Sequence, residues 1–253
     1  NIDTTTFTGR VVVNAGGGHD VINTGSGPDR ILGGSGNDII NSGGGNDLVR
    51  GQGGGDQIDA GGGDDKLFGD AGNDTVYGGE DDDLFIVGSG TDHLVGGNGN
   101  DTVWVRKNTN MTVDDTQIVA NGTDSLDSIE AAFLKDGNSS HTLDTSGFTG
   151  NVSVIGLNGD DTITTGGGRD SIDAGAGDDV INTGDGDDTV RGRGGNDNIN
   201  GGAGDDDLRG EDGDDVMDGG DGSDLVDGGD GNNSLTGGAG GDLLTAGSGS
   251  DVI

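Results

Sequence analysis

Twenty aspartates recur at nine-residue intervals in this chain of 253 residues: Asp20, Asp29, Asp38, Asp47, Asp56, Asp65, Asp74, Asp83, Asp92 and Asp101, then Asp161, Asp170, Asp179, Asp188, Asp197, Asp206, Asp215, Asp224, Asp242 and Asp251. Each closes a glycine-rich stretch, as in GGSGNDIIN at 33–41 and AGAGDDVIN at 174–182. Carboxylates and the carbonyls of a glycine-rich turn are hard oxygen donors, so the chemistry on offer is the gathering of hard cations. Catalytic arrangements are not visible: no HExxH, P-loop or GxSxG occurs, and no catalytic residue is expected. His19, His93 and His141 fall at unrelated places in the nine-residue register and read as surface histidines.

The elements that must position these aspartates follow from the same period. Residues 15–104 are ten unbroken nonapeptides, and residues 156–253 are eleven more, the last one residue short. Position 6 is Asp in 20 of 21 copies, failing at Asn233; position 4 is Gly in 20 of 21, failing at Asp81; position 8 is apolar in all 21. The first six residues of a copy form a turn, because Gly at positions 2 and 4 permits positive φ and lets carbonyls face one point. The last three form a short strand, with position 8 pointing inward and positions 7 and 9 outward. Two copies then make one 18-residue coil, with a strand on each face.

Coils stacked at about 4.8 Å bring the position-6 Asp of one copy beside that of the copy two further on. Bare carboxylates repel there by about 0.8 kcal/mol per neighbour even in water. A divalent cation between coils removes the repulsion, and calcium fits better than magnesium because it accepts six to eight oxygens in loose geometry. One ion between each copy and the one two further on would give up to about seventeen Ca²⁺, bringing a formal charge of −37 to roughly −3. Fewer fully ligated ions are expected, with losses near Asn233 and Asp81.

Composition excludes much else. Val, Ile, Leu and Phe make up only 53 of the 253 residues, against 61 Gly, so a conventional globular core is not expected. There is no apolar run long enough to span a membrane as a helix. So acidic a surface is a poor partner for nucleic acid. With no Cys, disulfides and Cys-based zinc sites are absent.

A longer repeat encloses the short one. IDTTTFTGRVVV at 2–13 matches LDTSGFTGNVSV at 143–154, an offset of 141 residues. The chain therefore divides into a lead-in segment (1–14), a first block (15–104), a spacer with a second lead-in (105–155) and a second block (156–253). The spacer carries short apolar runs broken by Gly, Asn and Asp, which predict strands and turns; one helical turn at 128–134 is the alternative. Because the chain starts at Asn1 and stops inside a nonapeptide, it reads as a window on a larger polypeptide.

At the nonapeptides the chain resembles the RTX, or haemolysin-type calcium-binding repeat, family. The resemblance implies an all-β, right-handed parallel β-roll, with Ca²⁺ between turns held by the position-6 aspartates and by carbonyls of the turn. Ile129-Glu130, and Leu143-Asp144 with Phe148-Thr149-Gly150, also look like IE-A and LD-FTG elements found between blocks in large secreted members. The implied setting is extracellular and calcium-rich. Two functions compete: a calcium-rigidified structural module of a matrix, surface-layer, filament or adhesin protein, or the carrier region of a secreted enzyme or toxin whose active part lies elsewhere.

One outer face of the first block predicts a contact surface. Position 9 of its even copies reads Leu32, Arg50, Phe68, Ile86, Trp104, with Arg30 and Lys66 nearby, an apolar and cationic stripe on an acidic protein. Something should cover it: either the spacer folding back, or a neighbouring copy through self-association.

Overall fold

The structure is a computed structural model that describes residues 1–107, 109–120 and 122–253. Every regular element among them is a β-strand, of two to seven residues. No helix is present among the described residues, and so none long and apolar enough to cross a membrane. The strand Ala131–Lys135 occupies the place where a helical turn was the alternative. The chain forms two compact units, residues 1–105 with 115–132 and residues 106–114 with 133–253.

Both units are parallel solenoids. In the first, one face runs Ile2–Asp3, Val21–Asn23, Ile39–Asn41, Gln57–Gly62, Thr75–Glu80 and His93–Asn98, each paired in parallel with the next. The opposite face runs Val12–Asn14, Arg30–Ser35, Leu48–Gly53, Lys66–Ala71, Leu84–Ile86 and Thr102–Arg106. Within the block partners lie 18 residues apart, as Ile22 with Ile40 and Ile40 with Ile58. The spacer continues the first face with Thr123–Asp127, parallel to His93–Asn98, and an antiparallel strand Gln117–Val119 beside it. In the second unit Met111–Asp114 pairs with Thr142–Gly147, which leads into Thr162–Thr164, Val180–Asn182, Asn198–Ala203, Val216–Gly222 and Ser234–Gly240.

The core is a pair of single-file columns. Position 8 is buried in every copy from Ile22 to Val103 and from Ile163 to Leu235, and β-branched side chains stacked on themselves suit a pleated surface covered from within. One inward side chain per nine residues is a thin core, so burial alone does not offset the ordering of so much turn. The turns are built by close approach. Among the described residues, thirty-two glycines and seven others have positive φ, including Asp81 (φ 74°), which adopts the left-handed conformation its glycine column requires.

Adjacent glycines in one turn separate freedom from necessity. A Cβ at Gly194 would meet nothing within 4 Å, whereas at Gly195 (φ 131°) it would overlap the Gly177 carbonyl one coil below. Gly195→Ala is therefore expected to cost roughly 2 kcal/mol, and Gly194→Ala to be nearly silent. Thermal midpoints of the two variants at equal, saturating calcium check this.

The apolar stripe is a true ladder, with Leu32, Arg50, Phe68, Ile86 and Trp104 successive parallel partners. Its side chains are half-buried, and its own cations lie on it. The Arg50 guanidinium sits 4.7 Å from the Phe68 ring centroid, while Lys66 Nζ lies 5.7 Å from Phe68 and 5.8 Å from Trp104. Arg50 is held in place by a bidentate pair with Asp70 at 2.9 and 2.6 Å.

Candidate metal sites

Each position-6 aspartate ends its turn where the strand begins, so the stacking of coils places these side chains in one column per face. Within each block the backbone N–H of one such aspartate donates to Oδ1 of the next in its column, 18 residues on, as in Asp38 to Asp56 (2.9 Å), Asp56 to Asp74 (2.8 Å), Asp65 to Asp83 (2.9 Å) and Asp188 to Asp206 (2.8 Å). The column is deeply buried; from Asp29 to Asp101 and from Asp161 to Asp224 its aspartates are at most 3% exposed.

The second oxygen is the informative one. In seventeen of the twenty aspartates Oδ2 is buried without a hydrogen-bond partner. Where position 1 is Gly, it points into room that only glycine leaves: a Cβ on Gly33 would lie 2.5 Å from Asp38 Oδ2 and 2.9 Å from the Gly51 carbonyl oxygen. The same oxygen pair closes on Gly192, Gly201, Gly210 and Gly219. In other copies position 1 is Ala, Ser, Thr or Val, and the Ser42 and Thr24 hydroxyls donate to the carbonyl one coil on. Buried carboxylates left unpaired are costly, and 11 Lys and Arg are far too few to match 48 Asp and Glu. Burial therefore pushes the Asp65 carboxyl up to about 7, the Asp47 N–H opposing and repulsion from Asp47 and Asp83 adding. All-oxygen donors, one of them anionic, around a cradle lined by glycine or small side chains fit a hard divalent cation of calcium's size and loose geometry.

All twenty sequence-predicted aspartates join these columns, and the structure adds members that the nine-residue period does not reveal. In the first unit the Asp92 N–H donates to Asp124 Oδ1 (2.8 Å) and the Asp101 N–H to Glu130 Oε2 (2.9 Å), so the spacer supplies the next carboxylate on each face. Position 5 forms a second ladder in the opposite sense, with Gly55 N–H donating to Asn37 Oδ1 (3.0 Å) and Asp205 N–H to Asp187 Oδ1 (3.1 Å). The frequency of Asn and Asp at position 5 is the signal that would have found it. The surface reading of the histidines holds for His19 and His93, which are exposed, and is corrected for His141. Its side chain is only 13% exposed because its segment continues the coil stack, its N–H donating to Asp161 Oδ1 at 2.9 Å.

At Asn233 the pattern is answered from within. Its Oδ1 accepts the Asp215 N–H (2.9 Å) as an aspartate would, but its Nδ2 donates to the Ala246 carbonyl at 3.3 Å. An amide hydrogen thus takes the carbonyl that elsewhere faces an unpaired carboxylate oxygen. Asn233→Asp is expected to raise calcium stoichiometry by about one ion, read by equilibrium dialysis of the two chains side by side.

A parallel stack of nine-residue turns with buried carboxylate and carbonyl oxygens facing each other between coils defines a calcium-binding β-solenoid. The chain belongs to the RTX calcium-binding nonapeptide repeat family, whose four-copy pattern matches residues 14–49, 50–85, 86–105, 155–190, 182–217, 191–226 and 218–253. The fold is accordingly the parallel β-roll of that family. Comparison with the curated proteins finds no match to this chain.

Proposed function

We propose that this chain is a non-enzymatic structural module of an extracellular protein, folded by calcium and built to follow copies of itself in tandem. In this reading the position-6 aspartates from Asp20 to Asp251 bind the ions, Oδ2 together with carbonyls of the glycine-rich turns. Up to about seventeen ions would bind, fewer where Asn233 interrupts the column. Secretion is the usual setting of such repeats and supplies the calcium.

The tandem reading is carried by one comparison. The two lead-in segments share their local geometry at the 141-residue offset: Thr5 N–H and Oγ1 donate to Asp3 Oδ1, as Ser146 N–H and Oγ donate to Asp144 Oδ1. The turns that follow are equally alike, Phe7 N–H donating to the Thr4 carbonyl and Phe148 N–H to that of Thr145. Their surroundings differ. The strand Thr142–Gly147 has Met111–Asp114 of the spacer paired on its outer side, and Phe148 is 1% exposed. Ile2–Asp3 pairs, among the described residues, only with Val21–Asn23, and Phe7 is 54% exposed. In a tandem array, a spacer like residues 106–141 placed ahead of Asn1 would pair with Ile2–Asp3 as Met111–Asp114 pairs with Thr142–Gly147.

That addition is the test. A chain carrying a second copy of residues 106–141 before Asn1 is expected to melt several degrees higher at equal calcium, and Phe7→Ser to lower its midpoint far more than in the unextended chain. Equal effects of Phe7→Ser in both would defeat the tandem reading. A catalytic domain in the flanking sequence, in place of further 141-residue units, would favour a carrier region of a secreted enzyme or toxin.

A further inference from the structure

His141 sits in a degenerate copy of the repeat. Residues 136–144 read DGNSSHTLD, and the structure lays them on the first nonapeptide of the second block, 156–164. Asn158 Nδ2 donates to Asn138 Oδ1 (2.7 Å), Asp160 N–H to Ser140 Oγ (2.9 Å), His141 N–H to Asp161 Oδ1 (2.9 Å), and Thr142 pairs with Thr162. The copy is displaced by 20 residues instead of 18, which hides it from the period. In it both positions that shape a slot carry residues found in no other copy: position 1, elsewhere Gly or a small or apolar residue, is Asp136, and position 6, elsewhere Asp or Asn, is His141.

The exchanged side chains face each other and the next carboxylate. Asp136 has a fully buried side chain, with Oδ2 2.7 Å from His141 Nδ1. Its Oδ1 is buried without a hydrogen-bond partner, and so is Asp161 Oδ2. One ligand atom from each of Asp136, His141 and Asp161 lies within 4.8 Å of the others. Asp136 also contributes to the lining of a depression of about 520 Å³ together with Arg106, Lys107 and Lys135.

We propose that Asp136, His141 and Asp161 bind a divalent transition metal of the zinc class at this joint, a site different in kind from the calcium slots. Calcium takes oxygen donors and gains little from imidazole, whereas zinc binds histidine nitrogen and carboxylate oxygen readily, commonly through three protein ligands and one water. Two carboxylates and a neutral imidazole balance the ion's charge. The Asp136–His141 hydrogen bond alone leaves the buried Asp136 Oδ1 without a partner.

The experiment uses the full chain folded in saturating calcium. Zn²⁺ is titrated calorimetrically, with Co²⁺ as a coloured substitute. One equivalent is expected to bind in the presence of excess Ca²⁺, with visible Co²⁺ absorption. Binding should weaken at least about tenfold in His141→Asn and Asp136→Asn and persist in His19→Ala and His93→Ala. Circular dichroism at saturating calcium verifies that each variant is folded. The double change Asp136→Gly with His141→Asp restores the ordinary repeat, and is expected to lose the zinc equivalent and gain one calcium. In the unsubstituted chain, histidine ring NMR should show one of the three imidazoles shift on zinc addition. Zinc binding no tighter than in His141→Asn, or no shifted imidazole, overturns the proposal and leaves a protonated Asp136–His141 pair only.

Discussion

With calcium removed by excess chelator at neutral pH, the chain is expected to lose most of its β-structure, seen as collapse of the far-ultraviolet circular dichroism signal. Returning calcium at high-micromolar to millimolar levels should restore it in one cooperative step. The magnitude follows from the column. A single site at ten times its Kd adds about 1.4 kcal/mol, and a block contains enough slots for their sum to rival the 5–15 kcal/mol by which folded domains are usually stable. Against this stand single-file columns of apolar side chains and a row of buried carboxylates whose second oxygens have no protein partner. A spectrum unchanged in chelator would refute the dependence of the fold on the metal.

The second large effect is an inversion of pH dependence by calcium. Without the metal, burial is the main cause that pushes Asp65, Asp83, Asp179 and Asp206 up to about 7 and Asp47, Asp56, Asp74, Asp161, Asp170 and Asp197 up to about 6, from an ordinary 3.8. A carboxyl whose pKa is higher folded than unfolded favours the fold while protonated. That contribution is complete below the unfolded value and lost as pH rises through 6 to 7. The calcium-free chain should therefore hold more β-structure near pH 4.5 than at pH 7.5. With calcium the order reverses, because only the carboxylate binds the ion and protons compete for it. The calcium midpoint should climb steeply below about pH 6. Calcium midpoints that coincide at pH 5 and 7.5 would count against protonation of the column.

The sequence carried the coil and the column because both are periodic. Gly at position 4 and Asp at position 6 are demanded copy after copy by the same close approach and the same oxygen cradle, so a single register exposes them. Asp81 illustrates how far this goes: the side chain departs from the column, yet the backbone keeps the required φ of 74°. What escaped the register is whatever joins the stack at another offset. Asp124 meets Asp92 across 32 residues, Glu130 meets Asp101 across 29, and His141 meets Asp161 across 20. A hydrogen bond between coils is indifferent to how much chain lies between its partners, whereas a repeat search is not. Arg50 and Lys66 were legible as cations of the stripe, but their seating over Phe68 and Trp104 was not, since a ladder of residue types does not say which side chains bend back onto it.

The pairing of each strand with the one 18 residues on also sets how a unit responds to being pulled. Those hydrogen bonds run along the solenoid axis, so tension along the axis opens them one coil at a time and never shears many together. Each coil occupies about 4.8 Å of axis. Its 18 residues extend to roughly 60 Å once released. A β-roll of this kind is thus expected to yield coil by coil and to lengthen about twelvefold where it yields, which force–extension of single chains at saturating calcium would record as a regular series of small steps.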